Sequence, residues 1–289
     1  MWAIHRNGLI KMIELRGGIE KLSILLQGKL LMYVSNLSTA RTHPFIDNHI
    51  RTDLAGCVET DSPPYFPLVD IFDIVYEGRL KIQVGNLSNG FRNIASIFSL
   101  SSHLVEILDD VQSLTLLLTK TGQENLPSHQ RGIDHFATEL RYRLLTCRAP
   151  ETYFSETALI GELCRLSAFL HLKTILWAFP SRGRTYQTII GKLRTVIETS
   201  ELLLDSTPEF LLWILFVGAV ASYDNPNQFW FVSKIASLTS SLNLRIWDEA
   251  KPILNKFWWL ESIYERPSLA LWNEVMLLRS TPSADHYGI

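Results

Sequence analysis

The sequence predicts an all-α fold, a multi-helix domain with a loop-rich segment near residues 42–97. Apolar residues recur at three- and four-residue spacing in segment after segment, the period of helices that bury one face. No stretch reads as a strand. Five of the eight tryptophans fall within residues 210–259, a density that marks a packing centre, because aromatic rings bring large apolar area and fixed geometry to a core.

Residues 5–15 place Leu9, Met12, Ile13 and Leu15 near one another on a helical wheel, and Gly17-Gly18 supplies a sharp turn. After it, Ile19, Leu22, Leu26, Leu30, Tyr33 and Leu37 predict a second helix, antiparallel to the first because the connection is short. Pro44, Pro63, Pro64 and Pro67, then Gly85, Asn89 and Gly90, mark turns and loops. Within this region residues 66–76 are apolar enough to dock as a short helix.

Leu104, Ile107, Leu108, Val111, Leu114 and Leu118 resume helical spacing, with Ser101 or Ser102 as cap. Ile133, Phe136, Leu140, Leu144 and Cys147 form the next stripe, closed by Pro150. Leu159, Leu163, Leu166 and Leu170 lead to a helix ending near Trp177, before the Pro180 and Gly183 break. Ile189, Leu193, Val196 and Ile197 define another. Four more helices are expected near 208–223, 228–242, 247–259 and 267–279, set off by Asp224-Asn225-Pro226, Asn243 and Pro267. Residues 1–279 therefore read as one helical domain, and the polar tail 280–289 is expected to fray.

Composition narrows the functions open to this chain. It is 47% hydrophobic and 19% charged, less charged than the typical ~25%, so part of its apolar surface is available to a partner as well as a core. Its 27 basic and 29 acidic residues leave a net charge of −2, which creates no positive field to gather phosphates and disfavours direct nucleic-acid contact. Cys57, Cys147 and Cys164 are widely spaced and odd in number, as expected of free thiols in a reducing compartment. The N-terminal residues lack the apolar run of a signal peptide, so Asn36 and Asn86, each two residues before a serine, are read as chance glycosylation matches. The apolar run 210–222 is shorter than the ~20 residues that span a bilayer and reads as a buried helix.

The search for chemistry returns structural roles. No two cysteines share a metal-binding spacing, and His43, Asp47 and His49 read as solvated loop. Neither a nucleophile elbow nor a helical metalloprotease pair occurs. Cys164 and His171 share an amphipathic helix, where cysteine behaves as a small hydrophobe. Asp109-Asp110 reads as a solvated face, and Asp248-Glu249 as a helix start favoured by the helix dipole. Neither Gly17-Gly18 nor Gly28-Lys29 has the spacing of a phosphate loop. Arg182, Arg184, Lys192 and Arg194 form a basic stretch of ordinary size, a weak contact candidate. No catalytic, cofactor-binding or metal-ligating residue is assigned, and no enzyme activity is expected.

Two segments carry a resemblance. His5-Arg-Asn-Gly8-Leu-Ile-Lys-Met12, followed by Arg16-Gly17-Gly18-Ile19 and Leu22, forms one. Leu212-Trp213-Ile-Leu-Phe216-Val-Gly218-Ala, then Trp230-Phe231-Val232, Trp247 and Phe257-Trp258, forms the other. In this order they resemble the helical regulatory region of fungal binuclear-zinc-cluster transcription factors, the fungal-specific transcription factor family. The resemblance implies an all-helical nuclear regulator that works through protein partners of the transcription machinery, self-association or a small-molecule effector. The family reads DNA through a six-cysteine zinc cluster, whereas this chain has three scattered cysteines. No DNA-reading residue is carried over, and a start at Met1-Trp2 within a family motif implies a truncated gene model, a fragment or a diverged paralogue. The physical roles agree with packing: Gly17-Gly18 and Gly218 allow close helix approach. The alternative is a helical ligand-binding or scaffold module unrelated to transcription, with the 42–97 loops closing over a pocket.

Overall fold

A computed structural model describes residues 8, 11, 14–15, 17, 56–64, 87–121, 126–148, 155–176, 186–223 and 225–280. Among the described residues the regular elements are helices and no strand occurs. After a helical turn at 56–60, they run α1 (Asn89–Ile97), α2 (Ser102–Thr121), α3 (Leu126–Thr146), α4 (Glu156–Leu176), α5 (Gln187–Thr199), α6 (Glu201–Leu204), α7 (Pro208–Ala221), α8 (Asn227–Ser241), α9 (Trp247–Leu254) and α10 (Glu261–Ser280).

Two helices form the centre. α7 is apolar around its whole circumference and packs on α8, α4, α9, α10 and α5, so ten of its fourteen residues are buried. Pro208 at its start fits the first turn, where a missing N–H costs nothing. α4 lies against α7 and also meets α5, α2 and α3. Its run from Leu163 to Leu172 is buried without a break. An amphipathic α4 was expected from the leucine spacing; enclosure by helices on every side explains why Cys164 and His171 are both buried. The outer helices are amphipathic as expected: Leu104, Ile107, Leu108, Val111 and Leu114 of α2 are buried, and Ser101 Oγ accepts the Leu104 N–H at 3.3 Å, capping the helix.

Close approach between α7 and α8 rests on Gly218. A Cβ there would stand 2.7 Å from Phe231 Cζ, so the Phe231 ring occupies the space a side chain would need. Gly90 does the same for α1: a Cβ would meet Lys256 O at 2.7 Å, and the Gly90 N–H donates to that carbonyl at 2.9 Å.

Several boundaries differ from the sequence expectation. Asn89 and Gly90, read as turn residues, open α1, because Phe91 and Ile94 are buried and hold the helix to the body. The last tryptophan-rich helix ends at Leu254 rather than near 259. Phe257 and Trp258 lie beyond it in an irregular segment, where tertiary packing overrides local helical spacing. α10 starts at Glu261 and continues through Pro267, which removes one hydrogen-bond donor without ending the helix, since Tyr264, Leu271 and Trp272 anchor both sides of it. Near the N-terminus, Gly8, Lys11, Glu14 and Leu15 are helical and Gly17 turns with φ 85°, but Leu15 is 79% exposed rather than on a buried stripe. The expected helix through residues 19–37, the short helix at 66–76 and residues 281–289 of the expected 280–289 tail lie outside the described residues, while Ser280 ends α10 instead of opening the tail.

Candidate functional site

Two buried constellations stand out. In the first, Trp213 of α7 sits among Phe91, Phe210, Phe257 and Trp258, with ring centroids 5.0 Å from Phe91 and 5.6 Å from Trp258 in edge-to-face geometry. Its indole Nε1 donates to the Trp258 carbonyl at 3.0 Å, satisfying an oxygen that no helix serves. Next to it His171 places Nε2 2.9 Å from Thr115 Oγ1 and Nδ1 2.9 Å from the Tyr264 hydroxyl, and its ring stacks on Tyr264. Thr115 Oγ1 spends its proton on the Val111 carbonyl, so it accepts from Nε2–H, and Nδ1 then accepts from Tyr264. Burial drives the imidazole down to about 3 and pushes the Tyr264 phenol and Cys164 thiol up, so all three are neutral packing groups.

The second constellation is ionic. Residues 56–60 end at Asp61, whose φ of 46° places it in the left-handed region usually left to glycine. Asp61 N–H bonds the Val58 carbonyl and Ser62 N–H bonds the Cys57 carbonyl, the paired bonds of a Schellman cap. That geometry points the fully buried Asp61 carboxylate at α4 and α5. Lys192 Nζ donates to Oδ2 at 2.6 Å and Arg165 Nη2 donates to the same oxygen at 3.1 Å. Oδ1 lacks an aligned hydrogen bond, but Arg165 Nη1 lies 3.0 Å away in ionic contact. Glu162 holds the other edge of that guanidinium through Nε at 2.7 Å and Nη2 at 2.6 Å. Arg148 donates to the Asp61 backbone carbonyl at 2.7 Å. Burial alone would raise the Asp61 carboxyl, yet the Arg165 charge and the Arg165 and Lys192 hydrogen bonds hold it below its ordinary value. Burial would likewise strip charge from Arg165, and Glu162 and Asp61 more than reverse that.

Residues singled out in the sequence do not converge on these charges as a group. Lys192 belongs to the ionic network, whereas Arg194 pairs with Glu198 and lies 5.1 Å over the Trp230 ring; Arg182 and Arg184 are outside the described residues. Asp110, expected on a solvated face, pairs with Arg143 across α2 and α3. Asp109 is raised by burial, against a hydrogen bond from the Leu87 backbone. Glu249 Oε2 accepts the Arg245 N–H at 2.6 Å and the Ile246 N–H at 3.3 Å, so Asp248-Glu249 opens α9 as expected. His43, Asp47 and His49 are outside the described residues, within which no group of three His, Cys, Asp or Glu side chains could hold a metal ion.

Asp61 and Arg165 escaped sequence reasoning. Arg165 left one signal, a lone cation inside the apolar run from Ile160 to Leu172, which calls for a buried counter-charge. Asp61 left none, sitting before Pro63-Pro64 in a stretch that reads as loop.

An all-α body with an aromatic centre and a buried ion network defines a helical domain built for packing. The family model of the fungal specific transcription factor domain matches residues 1–281, and the chain belongs to that family. Membership assigns it a role in regulating transcription. Comparison with curated proteins and with solved structures returned no match. No helix among the described residues is long and apolar enough to cross a membrane.

Proposed function

We propose that this chain is a non-enzymatic regulatory domain of a fungal transcription factor, acting in the nucleus through protein partners, self-association or an effector molecule, and without a DNA-binding zinc cluster of its own. The observation that carries this reading is the family match over residues 1–281. Two further facts support it. Among the described residues, two side chains that chemistry could use are committed to packing: His171 is enclosed by Thr115, Tyr264 and Trp258, and Cys164 is buried in α4. The chain holds three cysteines, half of what a six-cysteine cluster requires, and these are spread from 57 to 164.

The test is a tethering assay. The full chain is fused to an unrelated DNA-binding domain and its effect on a reporter gene is measured. A change in reporter output in either direction is expected. A fusion that is nuclear, soluble and bound to the promoter, yet leaves transcription unchanged, would sink the reading. A tagged chain expressed alone is expected to concentrate in the nucleus, and exclusion from it would count against the proposal.

A further inference from the structure

We propose that the helical body carries a carboxylate-binding cradle and that Asp61 is its internal ligand, so that this side chain is the main anchor by which residues 56–64 dock. The cradle is assembled from separate elements: Arg148 just after α3, Arg165 in α4, and Lys192 in α5. All three cations lie within 4.0 Å of the same carboxylate. Arg165 is oriented independently of Asp61, because Glu162, one turn earlier on the same helix, takes Nε and Nη2. With Asp61 removed, Arg165 would therefore stay held by Glu162, and the cradle would keep its excess of positive charge.

The docking segment shows the complementary half. Thr188 Oγ1 donates to the Glu59 carbonyl at 2.6 Å, Arg148 to the Asp61 carbonyl and Lys192 to its carboxylate, so the body donates and the segment accepts at each of these bonds. Cys57 and Val58 add buried apolar surface beside them. Asp61 stands where the backbone favours glycine, and the residue chosen is instead the one that fills the cradle. A short aliphatic carboxylate is thus the class of ligand the cradle recognises. Its occupant in this chain is the acidic side chain of residue 61.

Chemical rescue tests this on the full chain. Asp61→Gly relaxes the backbone and empties the cradle, and its thermal midpoint is compared in sodium acetate and sodium chloride at equal ionic strength. Acetate is expected to raise the midpoint of this variant and to leave wild type unchanged, and adding Lys192→Met is expected to remove the difference. Equal responses of wild type and Asp61→Gly would overturn the proposal. Asp61→Asn, nearly isosteric and tolerant of the left-handed backbone, gives a second readout by hydrogen exchange. Amides 58–62 are expected to lose protection while α7–α10 keep theirs. Unchanged protection at 58–62 would refute docking through the carboxylate.

Discussion

Trp213 and Trp258 are joined by an indole N–H to carbonyl bond of 3.0 Å, which ties the central helix α7 to the irregular segment after α9. Replacing Trp213 by Phe keeps much of the ring but leaves the Trp258 carbonyl without its donor, a loss of about 1–3 kcal/mol for a buried unsatisfied group. Trp213→Ala also opens a large cavity and should cost about 3–5 kcal/mol. Urea unfolding of the two variants should rank them in that order.

Arg165→Met leaves the buried Asp61 carboxylate facing Lys192 and Arg148 alone. Breaking a buried pair from one side is expected to cost about 3–5 kcal/mol. Combining it with Asp61→Asn removes the charge that Arg165 no longer balances, so the double variant should be less destabilised than the sum of the singles. A double-mutant cycle in urea measures that coupling.

Gly218→Ala forces a methyl group against the buried Phe231 ring and should destabilise by about 1–3 kcal/mol. Gly191→Ala is the counterpart in α5: a Cβ there meets nothing within 4 Å, and the better helix former should stabilise by up to about 1 kcal/mol. Thermal melts should move in opposite directions for these two identical substitutions.

His171 makes stability depend on pH in a stated direction. Its folded value of about 3 lies well below the ~6.5 of an unfolded histidine. Above that unfolded value both states are neutral and the residue adds no pH dependence. As pH falls below it the unfolded chain takes up a proton that the folded site refuses, so stability drops by up to ~1.4 kcal/mol per pH unit until the folded value is reached. Unfolding free energies between pH 6.5 and 5 should slope less steeply in His171→Gln.

The sequence carried the helical spacing of α2 and α5, because each repeats apolar residues over three or more turns, and it carried α7 as an unbroken apolar run too short to span a bilayer. Ser101 as a cap, Glu249 at a helix start and Gly218 at a close approach were legible for local reasons of chemistry. What was hidden is tertiary. The end of α9 at Leu254 is fixed by where Phe257 and Trp258 find partners, and the burial of α4 on every side depends on helices distant in sequence. Nothing near Asp61 announces Arg165, 104 positions away.

That separation makes the docking of residues 56–64 depend on elements formed elsewhere in the chain. Closing a loop of this length adds an entropy cost that grows only with the logarithm of its length, so distance along the chain does not forbid the contact. The constraint is one of dependence: the Asp61 carboxylate has a destination only where α4 presents Arg165 and α5 presents Lys192. Protection of the amides around Asp61 would accordingly be a late signal in refolding, appearing after the helices that receive it.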